Sequence, residues 1–194
     1  MKKLITPLLA ASTLLVAAPA LGHEGHSHSG LLAGFAHPFT GLDHLLAMLT
    51  VGLVAFRREQ SILPLPAAFL LFMIVGAALG FSGIELPSVE TGIAASVLGL
   101  GLMLTFAKQL PLTVGVILAG GFALFHGHAH AAEMAVGSIA LLYIVGFVMG
   151  TAILHGVGFG LGVLADKVIQ QRWLAPVAGL GTAGAGAAML LGVI

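Results

Sequence analysis

The 194-residue chain contains no cysteine, which excludes disulfides, thiolate zinc sites and iron–sulfur clusters. It is also poor in charge. Asp, Glu, Lys and Arg together make up 7%, against roughly 25% in a soluble domain. That is too little to cover a water-facing surface, so lipid must be the solvent for most of the chain. The formal net charge is zero, and nothing points to nucleic acid. A Gly-x4-Gly-Lys-Ser/Thr loop is missing, so this chain does not hydrolyse ATP by that route. What is abundant is apolar surface, at 59% hydrophobic residues and a mean hydropathy of +1.12. The 28 glycines read as small residues for close helix packing in a bilayer.

The start has the layout of a secretory signal peptide. Lys2 and Lys3 precede an apolar run from Leu8 to Ala18, followed by Pro19-Ala20-Leu21-Gly22. The run is short for a spanning helix, which needs about 20 residues. Residues 1–22 are therefore expected to be removed; an uncleaved signal anchor is the other reading. Cleavage would leave a His-rich segment, 23–36, on the periplasmic side. His23, His26 and His28 lead it, and short His-rich tracts bind metal; a merely solvated tail stays open.

Residues 37–194 are expected to form an all-α membrane domain of six transmembrane helices. The apolar stretches are 38–56, 66–83, 91–107, 112–131, 135–165 and 174–194. Each is long enough to span as a helix, and only closed backbone hydrogen bonding survives in lipid. With the mature N-terminus outside, Arg57, Arg58, Lys108, Lys167 and Arg172 all fall on the cytoplasmic side, as the positive-inside rule requires. The C-terminus then lies in the periplasm, and every histidine but His155 lies toward the outer face. The fifth stretch, Ala135 to Ala165, is about 46 Å of helix, longer than a roughly 30 Å hydrocarbon core. Strong tilt or a break near His155 would accommodate it.

Two clusters carry chemistry. The first helix is expected to begin His37-Pro38-Phe39-Thr40-Gly41-Leu42-Asp43-His44, with Pro38 in the first turn. His37 and His44 are seven apart and project to nearly the same side, and Met48 shares a face with His44. Asp43 would lie about 7–8 Å down that helix. A carboxylate there needs a partner, either His44 or a bound cation; a simple Asp–His pair pinning helices and an Asp43 high enough to be wet are the bland alternatives. The second cluster is His126-Gly127-His128-Ala129-His130-Ala131-Ala132-Glu133. His126, His130 and Glu133 share one helical face, and His128 points elsewhere. Imidazole and carboxylate suit nickel, cobalt and zinc. His155 stands alone, either as an inner relay or as a packing residue.

His-Pro-x-x-Gly-x-Asp-His-x-x-Ala-Met-x-x-Val-Gly at 37–52 resembles the signature of the HupE/UreJ family of nickel/cobalt permeases, and His-Gly-x-Ala-His-x-x-Glu at 126–133 resembles the family's second signature. The likeness implies a six-helix permease after a cleavable signal, with His37, Asp43, His44, His126, His130 and Glu133 at the metal site. Ala131 stands where relatives often carry glycine, a change that removes no ligand. The expected function is uptake of Ni2+ or Co2+ across a bacterial inner membrane. No prosthetic group is expected, the partners are the ion and the bilayer, and a homo-oligomer is compatible. A membrane-embedded zinc-dependent hydrolase is the alternative, weakened by the lack of His-Glu-x-x-His. A metal sensor or storage subunit would leave Asp43 and His44 unexplained.

Overall fold

In the computed structural model, which describes residues 29–58, 62–169 and 173–194, helices follow one another with no strand among the described residues. They are α1 (Ser29–Ala36), a 3-10 turn (His37–Phe39), α2 (Leu42–Arg57), α3 (Pro64–Phe81), α4 (Val89–Thr105), α5 (Leu112–Ala132), α6 (Ala140–Ile169) and α7 (Leu174–Leu190). Helices α2 to α7 match the six apolar stretches one for one. Three of them, α3, α5 and α6, are long and apolar enough to cross a bilayer, and α1 with α2 makes a fourth if the bent pair is one span. The apolar α4 and α7 are shorter, at 17 residues each, or about 26 Å. The signal-peptide segment and His23, His26 and His28 lie outside the described residues.

Large apolar side chains cover the outside of the bundle: Ile117 is 71% exposed and Leu141 69%, with Leu71, Phe72, Val145 and Ile153 alike exposed. A water-soluble monomer rarely shows such a continuous apolar surface. Lipid explains it, and the chain is a multi-pass membrane protein. The hydrophobic effect does not draw helices together in lipid, so close backbone approach must. The glycines supply it in pairs. Helix α3 meets α5 where Gly76 lies on the Leu124 carbonyl and Gly127 on that of Met73. Helices α2 and α6 meet where Gly52 lies on the His155 carbonyl and Gly158 on that of Leu49. A Cβ at any of these four would overlap backbone atoms.

Of the two solutions open for the fifth stretch the break is not seen, and the first stretch, expected as one helix, is corrected. The long α6 runs unbroken through His155 for 30 residues. It begins at Ala140 instead of Ala135, because a turn with Gly137 at φ +86° precedes it. The discontinuity lies in the first stretch, where the α1–turn segment and α2 meet at 79°. Helix α1, unforeseen as a helix, packs along α6, with Gly34 against Tyr143 and Gly146 against Leu31.

The basic loops gather at one end of the bundle. Arg58 Nη1 donates to the carbonyls of Ala107 (2.9 Å) and Leu110 (2.8 Å). Arg57, Lys108 and Asp166 line a cavity of about 570 Å³. Chain alternation alone puts these loops on one side, and the contacts agree. The histidine clusters lie toward the other end.

Candidate metal centre

The bend comes from His37-Pro38-Phe39-Thr40-Gly41. Pro38 sits in the first turn of the 3-10 helix. Thr40 closes that turn, its N–H (3.0 Å) and Oγ1 (2.8 Å) both donating to the His37 carbonyl. Gly41 is extended, at φ −94° and ψ 133°, and α2 starts afresh at Leu42. A Cβ on Gly41 would stand 2.5 Å from Asp43 Oδ1. Asp43 is therefore in the first turn of α2 and not about 7–8 Å down a helix from Pro38. There the exposed N–H groups and the helix dipole favour an anion. Asp43 Oδ1 accepts from the His44 backbone N–H at 2.7 Å.

His37 and His44 converge across this bend, not along one helix face; their ring centroids are 5.8 Å apart. His130, from the last turns of α5, completes the group, at 4.7 Å from the His37 ring and 4.8 Å from that of His44. One ring nitrogen from each of His37, His44 and His130 lies within 4.8 Å of the others. Imidazole nitrogens sharing an ion at bond lengths near 2.0–2.1 Å sit roughly 3.0–3.4 Å apart. A contraction of up to about 1.8 Å would close these three on a metal.

Carboxylates orient two of the three rings. His44 Nδ1 lies 2.9 Å from Asp43 Oδ1. A proton donated there leaves the lone pair on Nε2, which is buried and has no partner among the described residues. That is the carboxylate–histidine arrangement that raises ligand basicity and fixes the tautomer. His37 Nε2 lies 2.7 Å from Glu133 Oε2, which likewise frees Nδ1. Glu133 is the C-cap residue of α5, and its carboxylate reaches the group through His37. His130 stacks on Phe147, with centroids 4.6 Å apart and planes 7° from parallel. Both of its nitrogens are buried without a hydrogen-bond partner among the described residues. Tyr143 and Phe147, four apart on α6, wall this side.

His126 adjoins the trio, its ring 4.8 Å from that of His44. Ser96 of α4 holds it. The hydroxyl donates to the Ile93 carbonyl at 2.6 Å, so its oxygen accepts from His126 Nε2 at 2.7 Å. The lone pair is then on Nδ1, which has no hydrogen-bond partner among the described residues. Met48 is fully buried one turn past His44. His128 faces away, its Nε2 3.0 Å from the Ile84 carbonyl, where it ties down the loop before α4. His155 is buried on α6, its ring 5.5 Å from Phe69, which in turn lies 5.7 Å from His126. Asp43 and Glu90 line a second cavity of about 300 Å³, so carboxylate oxygens lead toward His44.

Sequence reasoning missed Ser96, Phe69, Tyr143 and Phe147. Ser96 had a readable signal, a lone hydroxyl in the middle of an apolar helix. The aromatic residues had none, because a phenyl ring in an apolar helix looks the same whether it faces lipid or imidazole. With nitrogen lone pairs converging in a water-poor interior and carboxylates behind them, the group can strip and hold a borderline transition-metal cation.

A family model described as "HupE / UreJ protein" matches residues 11–189. The chain is also similar to a protein of Rhizobium leguminosarum bv. viciae named "Protein HupE", 45% identical over 186 residues, covering 93% of this chain and 97% of that one. No solved structure matches.

Proposed function

This chain belongs to the HupE/UreJ family, and from that premise we propose that it takes up a divalent transition metal, Ni2+ or Co2+, across a bacterial inner membrane. The observation that carries the reading is the set of three imidazoles from three separate helical elements, with ring nitrogens within 4.8 Å of one another. In this reading helices α2 to α7 are six spans, and both ends of the mature chain are periplasmic. The arginine-lined end faces the cytoplasm.

The ion is first drawn by Asp43 and Glu90. It exchanges water for His37, His44 and His130, passes His126, and leaves toward the cavity at the arginine end. The N-terminal His23, His26 and His28 raise capture at low metal. ATP hydrolysis by this chain is not needed. Two charges moving inward gain about 4.6 kcal/mol per 100 mV of membrane potential. The hydrolase alternative gains no support from the family or from this site.

The test is uptake of radiolabelled nickel and cobalt by cells expressing the protein, with zinc and manganese as competitors. Saturable uptake is expected, lost in His44→Ala and strongly weakened in Asp43→Asn. Wild-type rates in both variants would end the reading.

A further inference from the structure

His155 is 5% exposed on α6, and neither of its ring nitrogens has a hydrogen-bond partner among the described residues. A ring in this state is a poor choice for packing alone. A neutral imidazole carries one N–H to donate and one lone pair to fill, and leaving both unmet away from water is costly. A leucine or methionine would fill the same volume without that penalty. The groups around it are not inert. Thr151, fully buried one turn earlier on the same face of α6, donates its hydroxyl to the Met73 sulfur of α3 at 3.8 Å. Phe69, one turn before Met73 on α3, presents its ring to His155 at a centroid distance of 5.5 Å, edge to face. Two four-residue pairs thus face each other across α3 and α6: Phe69 with Met73, and Thr151 with His155.

We propose that His155, Met73 and Thr151 form a second, inner metal station with nitrogen, sulfur and oxygen donors. It is separated from the His37–His44–His130 group by the Phe69 ring, which touches His126 on one side and His155 on the other. The inference rests on the metal-transport reading and deepens it. The donor set defines the class of ion. A thioether and an imidazole favour soft and borderline cations such as nickel, cobalt and copper, and offer little to magnesium, calcium or manganese, which prefer all-oxygen shells. With few donors the station binds weakly, as a relay must if the ion is to leave. The backbone around it is held close, since Gly52 lies on the His155 carbonyl. The station therefore depends on side-chain rotation and not on helix movement.

Nickel-edge X-ray absorption on the full-length protein in detergent, with nickel in excess, tests this. Met48 is buried one turn past His44, so a sulfur neighbour to nickel reports the inner station where it persists in Met48→Leu and is lost in Met73→Leu. It is expected in the wild type and absent in Met73→Leu and His155→Gln, while the imidazole shell from the outer trio persists in both and shows that the fold is intact. Met73→Leu conserves volume and is the safer variant for folding. In cells, His155→Gln is expected to lower the maximal nickel uptake rate at least tenfold with KM within twofold of wild type. A wild-type spectrum without sulfur, or sulfur that survives Met73→Leu, overturns the proposal. Failure of the transport reading looks different: wild-type cells accumulate no nickel, whatever the spectra show.

Discussion

Replacing Asp43 by Asn keeps the side-chain shape and removes the charge. Asp43 Oδ1 accepts both the backbone N–H and the Nδ1 proton of His44, at 2.7 and 2.9 Å. An amide oxygen in the same place can accept both, so the ring stays oriented. What disappears is a full negative charge behind the ligand. An ion on His44 Nε2 would sit about 6–7 Å from that carboxylate, summing the 2.9 Å hydrogen bond, the ring and a bond of about 2.1 Å. For a divalent ion, Coulomb's law at an effective dielectric of 20 gives about 5 kcal/mol, a ceiling. The remaining amide dipole and the other ligands reduce it. Loss of an orienting carboxylate typically weakens metal binding 10–100-fold, or about 1.4–2.7 kcal/mol. The expected result is a 10–100-fold rise in nickel Kd by equilibrium dialysis, and a matching rise in uptake KM. Stability should fall much less, by about 0.3–1 kcal/mol, since an acid in the first helical turn contributes only that. Asp43→Ala should be worse on binding, because His44 then loses its acceptor as well. An unchanged Kd in Asp43→Asn, with a wild-type circular dichroism melt, would refute the view that the carboxylate acts electrostatically through His44.

Ser96→Ala removes the acceptor of the His126 Nε2–H and leaves it buried. A loss of about 1–3 kcal/mol in stability and reduced uptake are expected, with Ser96→Thr restoring both if its hydroxyl takes the same place. His128→Ala should free the loop before α4, cost about 1 kcal/mol by thermal melt, and leave nickel Kd unchanged. A weakened Kd would return His128 to the metal site. Gly52→Ala puts a methyl group onto the His155 carbonyl and should destabilise the α2–α6 contact by about 1–3 kcal/mol, read as a lower melting temperature in detergent.

The six apolar stretches were legible because a lipid-facing helix must be apolar along its whole length, and α2 to α7 follow them closely. His44 beside Asp43, and His126 and His130 one turn apart, were legible for the same reason: helical spacing fixes which side chains share a face. The bend at Gly41 was not. Pro38 fits the start of a long helix equally well, and nothing local says that the backbone will extend at Gly41 and begin again at Leu42. The pairing of Glu133 with His37 was not legible either, since spacing on α5 joins Glu133 to His126 while His37 comes from another part of the chain.

By itself, then, the sequence determined a lipid-embedded helical bundle rich in potential metal ligands at one end, because composition and periodicity act locally along the chain. The tertiary structure alone decided which ligands meet. Three imidazoles come together only because a 79° bend brings His37 back over His44, and because glycine contacts let α3 and α5, and α2 and α6, approach at backbone distance. Convergence of groups distant in sequence depends on how helices pack, and packing is set by all the surfaces at once.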